Sequence, residues 1–371
     1  VVSNAAAFRS PYGTFALARY PGKSGDALLA WCAADALLLE EAHRRDNTGE
    51  AILVVNDTHG ALCVALQPQS LWTDSALSAL ALRRNERSNG RKETPIIWST
   101  QIVPSIPELV VLRIPKQLRY LEYQLARLAT LLPAGATLLA AGMDKHLSPR
   151  VADMLERCIG PTQRHPGQRK ARLFTAVRDD RPVSPSTRIA AYYCEPLGVE
   201  LRSLANVFSA DKLDLGTRFL LEQLHRLAAV DTAIDLACGN GVLGLAALQR
   251  GLAQRVVFCD ESAMAVASAQ DNALRLFPRT AHNCSFHRGD ALQDYRGEPA
   301  QLILCNPPFH VEHVVDEFAG RYLLAQCRDH LRPGAQWLTP PSYSKYCASG
   351  THGCMLARPL KLLSACEHPT N

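Results

Sequence analysis

The sequence predicts an α/β protein made of two tandem open sheets of parallel strands with helices packed on them, and three observations carry that prediction. Apolar runs of strand length, several ending in a carboxylate, alternate with helix-patterned segments along a chain of 371 residues. One run, Ala233-Ile-Asp235-Leu-Ala-Cys-Gly239-Asn-Gly241-Val-Leu-Gly244, ends in a Gly-x-Gly-x-x-Gly turn and passes into the apolar Leu-Ala-Ala-Leu. The order of elements around that turn also occurs upstream. The run reads as strand, tight turn and helix: glycines tolerate positive φ and let the backbone approach a ligand, and a new helix presents unpaired N–H groups there.

Taken in order, Phe8 to Pro21 mixes apolar and basic residues and is expected as a strand or arm. Leu28 to His43 carries apolar residues at helical spacing, with Asp26 as a plausible N-cap. Ala51-Ile to Leu66, with Gly60 in its turn, then repeats the strand-turn-helix pattern of Ala233-Ile to Leu248. Leu71-Trp-Thr-Asp74 corresponds to Val257-Phe-Cys-Asp260, each followed by an Ala-rich helix. Glu108-Leu-Val-Val-Leu-Arg113-Ile-Pro-Lys116 corresponds to Gln301-Leu-Ile-Leu-Cys-Asn306-Pro307-Pro308-Phe309, and both lead through a helix to a Pro/Gly turn, at Gly135 and Gly334. The chain therefore reads as an internal duplication. Thr137 to Gly142 should be a late strand of the first sheet and Arg150 to Ile159 a helix. A Pro/Ser-rich segment from Arg181 separates the copies, giving domains 1–185 and 186–371. After Phe208 and the Leu213-Asp-Leu-Gly216-Thr217 stretch, a helix carries Leu220, Leu224 and Leu227 on one face.

Chemistry concentrates where strands of the second copy end. Asp235, Gly239 and Gly241 form a nucleotide-cofactor corner. Asp260 ends the next strand, where an acid can accept from ribose hydroxyls, and Asp290-Ala291 follows a third. A nicotinamide dehydrogenase would use the same glycines but has no general need for Asn306-Pro307-Pro308-Phe309. Methyl transfer to an exocyclic amine does. Such a nitrogen is conjugated to its ring, and the Asn306 side-chain oxygen and Pro307 carbonyl can accept its hydrogens and turn its lone pair outward while Phe309 stacks on the base. The first copy has Arg-Ile-Pro-Lys at that turn and one glycine at the other, so it reads as a degenerate domain recruited for RNA.

Composition bounds the partners. Hydrophobic residues at 47% and charged residues at 20% describe a globular chain. No apolar run approaches the roughly 20 residues a membrane span needs, and no signal-peptide pattern precedes the first strand, so a cytoplasmic protein is expected. The 12 cysteines are scattered with no Cys-x-x-Cys pair, which argues against a structural metal. The net charge of +5 is modest. Its distribution is not: Arg164, Arg169, Lys170, Arg172 and Arg178 fall in a stretch without acids, and Arg83 and Arg84 open a second basic knot, both readable as contacts to a phosphate backbone.

Together, the N-terminal Phe8-Arg-Ser10, Ala30-Trp31-Cys-Ala-Ala-Asp35, the duplicated layout, Phe208-Ser209, Leu213 to Gly216, Asp235 to Gly241 and Asn306-Pro-Pro-Phe-His310 resemble the ribosomal RNA large-subunit methyltransferase G family, over roughly residues 7 to 335. These are guanine-N2 methyltransferases of 23S rRNA, related to the small-subunit methyltransferase C family. The resemblance implies two tandem Rossmann-like class I methyltransferase domains, the N-terminal one degenerate and RNA-binding. It also implies S-adenosylmethionine as cofactor, held by Phe208, Thr217, Asp235, Gly239, Gly241, Asp260, Asp290 and Ala291, with Asn306 to Phe309 at the target guanine. A non-catalytic RNA-binding relative, a 16S rRNA enzyme, or methylation of adenine or a protein glutamine through the same turn are the alternatives. Residues 336–359 depart from the family pattern and show neither helical nor strand periodicity, which predicts a weakened sheet edge.

Overall fold

The computed structural model describes residues 5–22, 28–46, 51–182, 189–279, 281–307, 310–311, 314–315, 322–323, 325–326 and 330–340. It divides into two compact units, residues 1–191 with 202–210 and 261–267, and residues 192–201 with 211–260 and 268–371. Asp26, Pro308, Phe309 and the chain from 341 onward lie outside the described residues.

The first unit opens with a hairpin, β1 (Ala6–Ser10) and β2 (Gly13–Leu17), that places Phe8 opposite Phe15, both buried. Helix α1 spans Ala33–Arg44. It starts later than the apolar pattern predicts because Asp35 Oδ2 accepts the Cys32 N–H at 2.7 Å, an N-terminal lock that leaves Leu28 and Leu29 exposed before the first turn. Then come β3 (Ile52–Val55), α2 (Ala61–Leu66), β4 (Ser70–Thr73), α3 (Ala76–Ser88), β5 (Ile96–Trp98), β6 (Leu109–Arg113), α4 (Leu118–Leu131), β7 (Thr137–Met143), α5 (Val151–Cys158), β8 (Thr162–Arg164) and β9 (Ala171–Val177). The sheet order is β5-β4-β3-β6-β7-β9-β8. Strands β3 to β7 pair in parallel, and β9 runs antiparallel to β7 and β8. Ile52 to Val55 are all buried, as expected of a central strand covered on both faces.

Between 190 and 203 lies the hairpin β10 (Ala190–Cys194) and β11 (Val199–Ser203). The second sheet follows α6 (Leu215–Gln223) and comprises β12 (Val230–Leu236), β13 (Ala253–Asp260), β14 (Cys284–Arg288), β15 (Ala300–Cys305) and, after the two-residue strands β16 (His310–Val311) and β17 (Val314–Val315), β18 (Leu331–Leu338). Helices α7 (Val242–Gln249) and α8 (Ala263–Leu276) connect the first three. The order β14-β13-β12-β15-β18 repeats that of β5-β4-β3-β6-β7, so the duplication is one of topology, all pairs parallel. The turns agree in detail. Gly60 and Gly241 both adopt left-handed backbone at φ 88 and φ 85, and Asn56 and Ala237, four residues earlier in each copy, are both at positive φ. This aligns Ile52 with Ala233, one residue from the sequence-based matching.

Two stretches differ from expectation. Residues 336–338, read as without periodicity, belong to β18, where Leu302 faces Gln336 and Leu304 faces Leu338. A parallel edge strand does not need alternation to pair, because the ladder is made by backbone. The basic stretch from Arg164 folds as the β8-β9 edge, and its Arg178 is buried, donating from Nε to the Ala129 carbonyl at 3.1 Å and from Nη2 to the Arg181 carbonyl at 3.0 Å. Arg178 therefore satisfies backbone acceptors.

Candidate active site

The carboxyl ends of β13, β12 and β15 lie side by side. Leu236 is in register with Cys259 on one side and Cys305 on the other, so Asp260 and Asn306, each one residue further on, flank the glycine turn of β12. With strands about 4.8 Å apart, they stand roughly 10 Å from each other. The turn is a run of left-handed residues, Ala237, Gly239 and Gly241. Asp260 Oδ2 accepts the Gly239 N–H at 3.0 Å and fixes the loop, while Asp235 Oδ2 accepts the Gly244 N–H at 2.8 Å and fixes the helix behind it. A Cβ on Gly241 would lie 3.0 Å from Ala269 Cβ and 3.2 Å from its Cα, so that glycine is required for close helix packing as well as for its φ. Asp235 is fully buried, and burial, opposed by the Gly244 hydrogen bond and reinforced by Asp260, pushes its carboxyl up to about 8.

Asn306 is held from below by the start of α6. Its Nδ2 donates to Asp214 Oδ2 at 3.0 Å and to Thr217 Oγ1 at 2.9 Å, which uses both amide hydrogens. Its Oδ1 is buried and without a hydrogen-bond partner. A buried unsatisfied acceptor costs about 1–3 kcal/mol, a debt that an incoming N–H donor would cancel. Pro307 is buried beside it. One strand further from β12, Asp290 is buried and its Oδ2 accepts the Tyr322 hydroxyl at 2.5 Å; Ala291, at φ 50, turns the chain behind it. Thus Asp235, Gly239, Gly241, Asp260, Asp290, Ala291, Asn306 and Pro307 come to one edge of one sheet. Thr217 contacts Asn306, a partnership sequence reasoning missed. Phe208 is 69% exposed and belongs to the first unit.

The corresponding edge of the first copy is filled by its own side chains. By strand register, Arg113 stands where Asn306 does, and its Nε pairs with Asp35 Oδ1 at 2.8 Å. The buried Asp57 carboxylate accepts the N–H groups of Gly60, Leu62 and Cys63 at 3.0, 2.9 and 2.8 Å, so the amides that open α2 are capped internally. Register places Thr73, not Asp74, opposite the Asp260 position. Of the basic residues, Arg164 and Lys170 are exposed. Arg169 is bidentate to Glu40 at 2.8 Å, Arg172 pairs with Asp144 at 3.2 Å, Arg83 with Glu86 at 3.0 Å, and the Arg84 guanidinium stacks 3.9 Å above the Tyr20 ring. Arg164, Arg172, Ser148 and Phe174 help line a cavity of about 310 Å³. Among the described residues no cluster of three or more His, Cys, Asp or Glu could hold a metal, and no helix is long and apolar enough to cross a membrane.

An acid-flanked glycine turn at the central strand, with an amide-presenting Asn-Pro turn at its neighbour, defines a class I S-adenosylmethionine-dependent methyltransferase preceded by a degenerate copy of the same domain. The orphaned Asn306 oxygen, the glycine cradle and the carboxylates at 260 and 290 fit that cofactor and an amine beside it. Family comparison agrees: residues 5–180 match the RLMG N-terminal domain and residues 198–340 the methyltransferase small domain. The chain is 39% identical over 345 residues to the ribosomal RNA large subunit methyltransferase G of Pseudomonas aeruginosa (strain UCBPP-PA14), covering 89% of this chain and 90% of that one. It is 36% identical to the same protein of Alcanivorax borkumensis, covering 89% and 87%. Among solved structures, the T. thermophilus 16S rRNA N2 methyltransferase in complex with AdoMet and guanosine shares the fold with a TM-score of 0.68 at 20% identity, covering 90% and 88%. The chain belongs to the ribosomal RNA large subunit methyltransferase G family.

Proposed function

We propose that this protein methylates the exocyclic N2 of a guanine in 23S rRNA, in the cytoplasm, on naked or partly assembled large-subunit RNA. The observation that carries the reading is the unpartnered Asn306 Oδ1 at the strand edge beside the glycine turn. Bound S-adenosylmethionine supplies an electrophilic methyl group. Gly239 and Gly241 give the backbone approach to it, Asp260 accepts from its ribose hydroxyls and Asp290 from its adenine amine, with Asp235 and Ala291 holding the turns that present them. Asn306 Oδ1 and the Pro307 carbonyl accept hydrogens of the guanine N2 amine, localising its lone pair toward the methyl donor, and Phe309 stacks on the base. Arg164 and Lys170, exposed on the first domain, contact phosphates, with Arg172, Arg169, Arg83 and Arg84 available once their present partners are exchanged. That the relatives are ribosomal RNA large subunit methyltransferases supports ribosomal RNA as substrate class, and the large-subunit assignment follows from them.

The test is incubation with labelled S-adenosylmethionine and rRNA lacking the modification, followed by nucleoside analysis. Wild type places label on guanine N2, and Asn306→Ala is slower by about 10²-fold, the scale expected when a reacting group loses its orientation. Equal incorporation by the two proteins removes Asn306 from the mechanism.

A further inference from the structure

We propose that Asp214 is a positioning residue for the reaction: its carboxylate sets which end of the Asn306 carboxamide faces the substrate and so restricts the site to hydrogen-bond donors such as an exocyclic NH2. The proposal rests on the reading of Asn306 as the acceptor for the target amine. A carboxamide has nearly the same shape at its oxygen and its nitrogen, so packing alone does not choose between its two orientations; only hydrogen-bond partners do. Two partners face Asn306 from the start of α6. The Thr217 hydroxyl, 2.9 Å from Nδ2, donates or accepts equally well and chooses neither orientation. The Asp214 carboxylate, 3.0 Å from Nδ2, has no hydrogen to give. With the amide reversed, a carbonyl oxygen would face a carboxylate oxygen at that distance, lone pair against lone pair. Asp214 therefore imposes the orientation that turns Oδ1 away.

The residue between the two partners completes the device. A Cβ on Gly216 would come to 3.0 Å from Asn306 Oδ1 and 3.1 Å from Asp214 Oδ2. Gly216 sits in the first turn of α6, where any residue could stand on backbone grounds, and the missing side chain leaves Oδ1 uncrowded. The result is an acceptor oriented by a network that uses both amide hydrogens and leaves the buried oxygen without a hydrogen-bond partner. Such an atom receives an amine and repels a carbonyl oxygen.

Asp214 is also the N-cap of α6, accepting the Thr217 N–H at 3.0 Å, so the test must separate capping from orientation. Ser caps helices about as well as Asp. The oxygen that accepts the Thr217 N–H is the one that accepts from Asn306 Nδ2, and a serine hydroxyl in its place can also donate, so it holds either orientation of the carboxamide. Asp214→Ser is therefore expected to keep the melting temperature and the S-adenosylmethionine Kd of wild type while lowering kcat about tenfold to a hundredfold. Wild-type kcat in this variant overturns the proposal, as does a fall in kcat matched by an equal weakening of cofactor binding or by a lowered melting temperature, which marks a structural role. Failure of the underlying reading looks different. In that case Asn306→Ala itself retains wild-type kcat.

Discussion

At the scale of single residues, the buried carboxyl of Asp235 has a consequence for stability. Held up to about 8 by burial, it keeps its proton in the folded chain over a range where the unfolded chain has lost it. The folded state then binds more protons than the unfolded one between the ordinary carboxylate pKa and about 8, so this group's contribution to stability falls as pH rises through that window. Asp235→Asn, which has no proton to lose, is expected to show a shallower decline in melting temperature than wild type from pH 5 upward, checked by thermal melts across pH; parallel curves would refute it. Asp235, Asp260 and Asn306 were legible in the sequence because each ends an apolar run. The pairing of Asn306 with Asp214 and Thr217 was not, since it joins residues 92 and 89 positions apart through a helix start that carries no motif of its own. Tyr322 on Asp290 was equally invisible.

At the scale of elements, the glycine turn is constrained from behind as well as in front. A Cβ on Gly244, in α7, would lie 2.5 Å from Phe258 Cε1 and 2.8 Å from Val256 Cγ1, both side chains buried in β13. Gly244→Ala gains helix propensity but forces apart a helix and a strand, and overpacking of this kind costs about 1–3 kcal/mol. The urea midpoint is expected to drop, with S-adenosylmethionine affinity falling alongside because α7 begins at the cofactor turn. An unchanged midpoint would mean that the sheet yields. Central parallel strands were readable as continuous apolar runs. The antiparallel β9 and its partner β8 were not: Arg172 puts a charge inside the run of β9, and Arg178 follows its end with another, whose acceptors are the Asp179 carboxylate and carbonyls brought in from α4 and the turns nearby. A run of arginines looked like one surface, yet it divides into exposed, ion-paired and buried members.

At the scale of the whole molecule, two copies of one topology have been given different work. RNA affinity should reside in sequence-neutral phosphate contacts, so Arg164→Ala and Lys170→Ala are each expected to weaken rRNA binding and reduce the slope of log affinity against log salt by about 1, with cofactor affinity unchanged. Filter binding at several salt concentrations checks this, and an unaltered slope would move the contact surface elsewhere. The upstream glycine turn leads to a further quantity. With three amides claimed by Asp57 and the Arg113 guanidinium committed to Asp35, that edge already contains its own resident anion and counter-charge. Calorimetric titration should accordingly saturate at a single molar equivalent of S-adenosylmethionine, and a heat profile with two equal plateaus would reveal an ancestral second berth still open to guests.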